Sequence, residues 1–330
     1  MSALPDRPAL LRWIAEAGLA PNLHNVQPAC WRIAGDHLEL VQRLGVRTPV
    51  CDPEDVDARR SLGCALEGLS LAAGRDGWRT GFRHAPRAGP APELMVHGEE
   101  RFEPGGQPDP LAAHVAGRRT WRGLFGAPPA GAPPWPEAPD IRFLTDRAVL
   151  EEIAHLYDAV AVRQLSDRAY RAELYGWMRF SPRHSGWARD GLNAQALALS
   201  GLEAAGASVV LSDGPLFGWL SATGLAQKAL SERDKVLSSS ALAVIVRPDG
   251  EADIASGRAF HRAWLELTAA GLFACPMSAL VDDPAARLRV AELAEFDPDL
   301  RIINVLRVGY LPAGARPAAR ARIPVSELLV

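Results

Sequence analysis

The chain has 330 residues, of which 48% are hydrophobic and 23% charged, the usual balance for a globular protein with a sizeable core. A net charge of −3 gives no reason to expect nucleic acid or an anionic membrane as a partner. No apolar run approaches the roughly 20 residues that cross a bilayer. The first twenty residues include acidic side chains and lack the apolar stretch of a signal peptide. We therefore expect a soluble, cytoplasmic protein.

Cysteine and histidine are placed without any recognisable pattern. The four cysteines are scattered and form no C-x-x-C pair, and the eight histidines include no H-E-x-x-H spacing. We therefore expect neither a disulfide framework nor a metal site. Lys228 and Lys235 are the only lysines. Any bound anion must therefore be held by arginine side chains or backbone amides.

Hydrophobic spacing predicts an alternation of helices and strands in a first block of the chain. An amphipathic helix is expected over residues 8–20, followed by a loop, two short strands and a long helix over 56–73. Two strands are expected near 81–84 and 93–96. Glycine and proline predict a loop over residues 98–110.

A second block repeats this alternation and ends in a coil. Its expected elements are helices at 109–121, 147–162, 166–179, within 191–235, at 254–272 and at 284–294, and strands at 141–145, 241–246 and 300–310. The segment ALEGLSLAAG, which starts at Ala65, is weakly similar to the segment AWLELTAAG, which starts at Ala263. The whole pattern predicts an α+β sandwich.

Two segments resemble the flavin-binding motifs of the FMN-dependent nitroreductase family. Residues 20–28 read A-P-N-L-H-N-V-Q-P, similar to the family's A-P-S-x-x-N-x-Q-P loop. Residues 118–123 read R-R-T-W-R-G, similar to its R-R-S-x-R opening. In ordinary members the arginine segment comes first, whereas here it follows the loop by nearly a hundred residues. Asn22 and Leu23 also replace the usual serines.

The inverted order resembles two family subunits fused into one chain, as in the Acg-like branch. Ordinary members are homodimers whose flavin sites combine the two motifs from different subunits. The resemblance implies two degenerate halves, residues 1–108 and 109–330, which form an intrachain pseudo-dimer. Each half keeps one motif, so a single composite FMN site is expected. A chain that carries both halves is expected to be a monomer or a weak homodimer.

The resemblance also implies which residues bind FMN. Arginines would neutralise the phosphate, Thr120 and Asn25 would bond the ribityl chain or the ring edge, the backbone N–H of Ser278 would hold the hydride-accepting nitrogen, and Arg122 would tune the ring. The expected cofactor-binding residues are Pro21, Asn22, Leu23, Asn25, Gln27, Arg118, Arg119, Thr120, Arg122, Pro276, Met277, Ser278, Arg320 and Arg322. No separate catalytic residue is required, because the flavin carries the hard chemistry.

The implied activity is the NAD(P)H-dependent reduction of a small molecule such as a nitroaromatic or a quinone. Two alternatives stay open: a flavin-sequestering protein whose lid, at about 177–190, closes off the ring, and a flavin oxidase or dehydrogenase of a biosynthetic pathway. His24 is expected only as a pocket neighbour. Arg59 and Arg60 are expected to form surface ion pairs.

Overall fold

A computed structural model describes residues 4–133, 135–212 and 216–330. The helices are α1 (Arg7–Ala17), α2 (Val56–Arg75), α3 (Arg147–Ser166), α4 (Arg168–Gly176), α5 (Gly201–Leu211), α6 (Leu216–Ala222), α7 (Leu225–Leu230), α8 (Arg233–Leu237), α9 (Asp253–Ala269), α10 (Ala279–Asp282) and α11 (Pro284–Leu293). The strands are β1 (Ala29–Ala34), β2 (His37–Arg43), β3 (Trp78–Ala88), β4 (Leu94–Pro104), β5 (Ile141–Leu144), β6 (Met178–Arg179), β7 (Leu192–Asn193), β8 (Ala241–Pro248), β9 (Phe273–Pro276) and β10 (Leu300–Gly309). The predicted α+β class is confirmed.

The described residues form two four-stranded antiparallel sheets with the same topology. The first has the order β1-β2-β4-β3 and the second the order β5-β8-β10-β9. In each sheet the long helix, α2 or α9, connects the second strand to the third, and the fourth strand inserts between them. The two weakly similar sequence segments therefore fall on helices α2 and α9, which occupy equivalent places relative to the two sheets.

Local sequence explains where the first helix begins and which face it buries. The carboxylate of Asp6 accepts a hydrogen bond from the backbone N–H of Ala9 at 2.7 Å, which caps the start of α1. Leu10, Trp13, Ile14 and Ala17 are buried, at the spacing of one helical face. They join a continuous core that includes residues from both sheets. None of the helices in the described ranges is long and apolar enough to cross a membrane.

The long helices α2 and α9 pack against each other through reciprocal glycines. A Cβ added at Gly63 would lie 2.0 Å from the carbonyl oxygen of Ile254, and one added at Gly257 would lie 2.0 Å from the carbonyl oxygen of Arg60. The thiol of Cys64 also donates to the carbonyl of Gly257 at 3.1 Å. Only glycine permits this approach of the two backbones.

Two predicted elements were wrong. The expected loop over 98–110 is strand as far as Pro104, because β4 is held between β2 and β3, and Gly98 allows β3 to approach closely. The expected helix over 109–121 is only a 3-10 turn, Pro110–His114. Beyond it the chain extends, and the N–H of Trp121 donates to the carbonyl of Ala274 at 3.0 Å. Pairing with distant strands outweighs the loop signal of glycine and proline in the first segment and local helix propensity in the second.

We expect Gly63→Ala and Gly257→Ala each to lower the free energy of unfolding by about 1–3 kcal/mol, because a methyl group would force the two helix backbones apart. Urea denaturation of the ligand-free protein measures the change. Gly206→Ala is the matched control: Gly206 lies within α5 with nothing near its added Cβ. This control should be neutral or slightly stabilising. Equal effects at all three positions would contradict the close approach.

Candidate functional site

A cavity of about 420 Å³ lies where distant parts of the chain meet. This volume falls within the range of about 300–1,000 Å³ that is typical of small-molecule sites. The structure brings the following predicted residues to its walls: Pro21, Asn22, Leu23, Asn25, Arg118, Arg119, Thr120, Arg122, Pro276, Ser278, Arg320 and Arg322. Gln27 and Met277, which were also predicted, do not line it.

The loop that contains Gln27 is held in an uncommon backbone conformation. His24, Asn25 and Gln27 all have positive φ angles, of 43°, 58° and 55°. Such angles are uncommon outside glycine and require support from the surrounding structure. The side chain of Asn22 accepts a hydrogen bond from the N–H of Gln27 at 2.9 Å. The loop is therefore shaped by its own polar residues.

Gln27 is a structural residue rather than a cavity residue. Its Oε1 accepts a hydrogen bond from the N–H of Ile323 at 3.0 Å, and its Nε2 donates to the carbonyl of Arg189 at 2.7 Å. The side chain is 4% exposed. Gln27 thus connects the loop to the C-terminal tail and to the segment around Arg189, and these bonds turn it away from the cavity.

Asn25 lines the cavity, but its side-chain amide already makes hydrogen bonds within the protein. Its Nδ2 donates to the carbonyls of Gly191 and Ala321 at 3.0 and 3.2 Å, and its Oδ1 accepts from Nη1 of Arg322 at 2.5 Å. An amide nitrogen has two hydrogens to donate. The expectation that the Asn25 amide bonds a ligand is therefore corrected: it fixes neighbouring segments instead.

Three guanidinium groups meet at one carbonyl at the other side of this loop. Arg118, Arg320 and Arg322 donate to the carbonyl oxygen of Leu19 at 2.8, 2.9 and 3.3 Å. Arg119 lies beside them and donates to the carbonyl of Ala116 at 2.6 Å. We call these four residues the arginine cluster. Two sequence segments about 200 residues apart supply it.

The arginine cluster has no carboxylate partner among the residues that the structure describes. Burial and repulsion from neighbouring guanidinium groups lower the pKa values of Arg118, Arg320 and Arg322. Arginine nevertheless keeps its charge in proteins. Several positive charges are therefore held together at an electrostatic cost that a bound anion would relieve.

Arg118 shows this incomplete pairing most clearly. Its guanidinium carbon lies 4.6 Å from the ring centroid of Trp264, a cation–π contact. Its Nε is buried and has no hydrogen-bond partner in the described parts of the chain. Buried polar groups are seldom left unpaired in proteins. Together with the absence of a carboxylate, this indicates an anion-binding site.

The remaining predicted residues lie around the rest of the cavity. Arg122 donates to the carbonyl of Ala196 at 3.1 Å, and Thr120 pairs with Ala274 at the edge of the second sheet. Met277 is 1% exposed, and its side chain packs in the core. Its backbone N–H donates to the carbonyl of Val305 at 2.7 Å. Ser278, which follows it, faces the cavity.

Residues 177–196, which we call the cover segment, form part of the cavity wall. Its end supplies Gly191, Leu192, Asn193 and Ala196 to the wall. The N–H of Gly191 donates to the carbonyl of Asn25 at 3.2 Å, and a salt bridge of 2.7 Å joins Arg179 to Asp190 within the segment. Trp187 and His184 do not line the cavity. None of the residues of the predicted lid, 177–190, lines the cavity; the residues that follow them do.

Several cavity residues were missed by the sequence analysis: Cys51, Asp57, Arg60, Tyr157, Tyr170 and Asp282. Arg60 pairs with Asp57 at 3.2 Å and lines the cavity, so its assignment to the surface was wrong; Arg59 does form an ion pair, with Asp253 at 2.6 Å. Asp57, Arg60 and Cys64 occupy one face of α2. That polar stripe on a long helix was the signal available in the sequence.

His24 and Asp282, which both line the cavity, have strongly shifted pKa values. Burial and the nearby charge of Arg122 lower the pKa of His24 to about 4, so its imidazole is neutral at pH 7. Burial and the nearby carboxylate of Asp57 raise the pKa of Asp282 to about 8. At pH 7 the cavity therefore combines a strongly cationic end with a neutral imidazole at His24 and a largely protonated carboxyl group at Asp282.

Comparison with known proteins gives a similarity that covers nearly the whole chain. Two proteins, from the CDC 1551/Oshkosh and H37Rv strains of Mycobacterium tuberculosis, are provisionally named NAD(P)H nitroreductases. Each is 26% identical over 331 residues, which is 95% of this chain and 88% of the relative. The chain is similar to the NAD(P)H nitroreductases. The resemblance that the two motifs indicated is thus confirmed, while the Acg-like branch stays a prediction.

No protein-family model matches this nitroreductase-like chain. Solved structures give weaker likenesses. An FMN-bound nitroreductase from Bacteroides fragilis has a TM-score of 0.35 at 14% identity and covers 64% of this chain and 94% of its own. The nitroreductase NfnB from Mycobacterium smegmatis, in complex with NADPH, has a TM-score of 0.36 at 17% identity and covers 66% and 96%.

We expect inorganic phosphate or pyrophosphate to raise the melting temperature of the ligand-free protein, because either anion can occupy the arginine cluster and binds only the folded state. Differential scanning fluorimetry measures the shift against sodium chloride at equal ionic strength. Arg118→Met should abolish the difference between the two salts. A chloride effect as large as the phosphate effect would show that the cluster has no affinity for phosphate.

Proposed function

We propose that this chain binds one FMN and uses it to pass hydride from NAD(P)H to a small oxidised acceptor, such as a nitroaromatic compound or a quinone. The observation that carries the proposal is the arginine cluster, in which Arg118 is buried and the other three arginines are half-buried, and which is unpaired with any carboxylate among the described residues and open to a cavity of suitable size. The names of the two relatives supply the reaction class. The resemblance of residues 20–28 and 118–123 to flavin-binding motifs indicates FMN as the cofactor.

The cationic end of the cavity fits the phosphate of FMN. That phosphate is a dianion, and guanidinium groups bind it through charge-assisted and partly bidentate hydrogen bonds. Arg118 has an unpaired Nε, and Arg320 and Arg322 are held in place by backbone carbonyls rather than by acids. Their charges are therefore free to act on a ligand. Pro21, Asn22 and Leu23 would line the same end.

The other end of the cavity fits a flavin ring and an acceptor molecule. FMN supplies the hydride chemistry when it is bound. Arg122 places a positive charge there, which would stabilise negative charge on the reduced ring. The backbone N–H of Ser278 donates to no acceptor in the described ranges and is free for a ring nitrogen. Tyr157 and Tyr170 would border the acceptor.

We also propose that residues 1–108 and 109–330 are two nitroreductase-like halves that share one site. The common strand order of the two sheets and the reciprocal packing of α2 and α9 support this division. The first half supplies the 20–28 loop, and the second supplies the arginine cluster. Since one chain contains both parts, we propose a monomeric protein. Its four free cysteines support a reducing, cytoplasmic location.

Titration of ligand-free protein with FMN tests this proposal. We expect about one FMN per chain, with the protein sedimenting as a monomer. Arg118→Ala and Arg320→Ala should each remove a charged hydrogen bond worth about 1.5–3 kcal/mol, which weakens FMN binding roughly 10- to 150-fold. Arg122→Ala should instead lower the reduction potential of the bound flavin more than it weakens binding.

Arg79→Ala is the control for these variants, because Arg79 is exposed and pairs with Glu103 away from the cavity. Circular dichroism establishes that each variant is folded. If Arg118→Ala and Arg320→Ala bind FMN as tightly as the parent chain, the phosphate site is assigned wrongly. Two FMN molecules per chain would contradict the single composite site.

The cover segment favours a second candidate function, the sequestration of FMN. It contributes four residues to the cavity wall and is bonded to both the 20–28 loop and the tail, since the N–H of Arg322 donates to the carbonyl of Ala188 at 3.2 Å. Gln27 adds a further bond to Arg189. A segment tied down at several points could hold FMN while excluding an acceptor.

Anaerobic mixing of the FMN-loaded protein with NADPH separates the two candidates. An oxidoreductase should lose its yellow absorbance within seconds, and a sequestering protein should keep it. Asp190→Asn removes the salt bridge to Arg179 and should loosen the cover segment. Bleaching by this variant alone would favour sequestration by the parent chain. Stopped-flow absorbance near the long-wavelength flavin band gives the rate in each case.

A further inference from the structure

The strand β10 contains an irregularity where it borders the cavity. Its pairing with β8 shifts between Ile302 and Asn304, so Ile303 is an extra residue in the ladder. In a regular strand, neighbouring side chains point to opposite faces. Here both Ile303 and Asn304 line the cavity. The bulge therefore turns Asn304 towards the site, a role that β-bulges often have beside active sites.

Asn304 contacts one other polar residue of the cavity. Its Nδ2 donates to the hydroxyl oxygen of Ser278 at 3.0 Å. A serine hydroxyl has one hydrogen to donate, and its oxygen can accept. Because Asn304 fills the acceptor role of this oxygen, the hydrogen is directed elsewhere. No hydrogen bond donated by this hydroxyl is found among the described residues, Oδ1 of Asn304 is buried without a partner, and the serine side chain faces the cavity.

We propose that Asn304 is a positioning residue that orients the Ser278 hydroxyl as a hydrogen-bond donor to the bound FMN. This inference rests on the proposed function and deepens it, because Ser278 then offers two donors to the ligand, its backbone N–H and its side-chain O–H. The sequence motifs pointed only to the backbone N–H. Asn304 is brought to Ser278 by the bulge, which no local pattern in the sequence indicates.

The experiment measures the dissociation constant of FMN and the visible absorption spectrum of the bound flavin in a set of variants. Ser278→Ala should weaken FMN binding roughly 2- to 13-fold, the effect of one neutral hydrogen bond, and should shift the long-wavelength absorption band. Asn304→Leu, which keeps the side-chain size, should produce the same spectral shift. In the Ser278→Ala background, Asn304→Leu should add no further shift.

Two conservative variants test the direction of the hydrogen bond. Ser278→Thr keeps the hydroxyl and should retain the parent spectrum and affinity. At a pH above the pKa of its carboxyl group, Asn304→Asp can only accept, so there it should draw the serine hydrogen away from the ligand and reproduce the Ser278→Ala spectrum. If Asn304→Asp keeps the parent spectrum, Asn304 accepts from Ser278 and the proposal is overturned.

Ser61→Ala is the matched control. Ser61 also borders the cavity, but its hydroxyl donates to the carbonyl of Asp57 at 2.7 Å within α2, so its removal should leave the spectrum and affinity unchanged. Additive effects in the double variant, or an unchanged spectrum in Ser278→Ala, would overturn the inference while leaving the FMN function intact. Failure of the parent chain to bind FMN would overturn both.

Discussion

The close contact of α2 and α9 at Gly63 and Gly257 fixes the positions of everything around the cavity. Each helix connects the second and third strands of its own sheet, so their crossing sets one sheet against the other. Polar residues near the start of α2, and Phe260 and Trp264 further along α9, then reach the same cavity. A crossing without side chains between the backbones leaves little freedom for either helix to shift.

Arginine side chains near this helix crossing differ in whether they have a carboxylate partner. On α9, Arg258 and Arg262 are paired with the buried carboxylate of Glu67 at 2.7 and 2.8 Å. The arginine cluster, elsewhere in the fold, has no carboxylate partner among the residues that the structure describes. The chain has more acidic than basic residues, so acids are not scarce. Leaving these guanidinium groups without one costs stability in the ligand-free protein, and a site for an anionic ligand accounts for that cost.

The sequence was sufficient for the repeating elements and for most of the cavity residues, but not for their contacts. Periodicity located both long helices and the buried strand β8, because these segments are shaped by burial on one or all faces. It failed at residues 98–110, where charged residues lie within a sheet. Motif resemblance selected Gln27 and Met277 because they fall within the segments that are similar to the family's motifs, and neighbouring residues of those segments do line the cavity. Their own side chains are used in a hydrogen-bonded junction and in the core, and only the tertiary structure decides that.

The junction at Gln27 explains why the site cannot be divided into independent parts. A single buried amide bonds the backbone of the tail at Ile323 and the cover segment at Arg189, while its own backbone is held by Asn22. Asn25 repeats the arrangement with Ala321 and Gly191. The tail also carries Arg320 and Arg322, so the position of the cationic end depends on the same bonds as the position of the cover segment. The arginine cluster and the cover segment are therefore fastened to one loop, so neither can shift without disturbing the hydrogen bonds that hold the other.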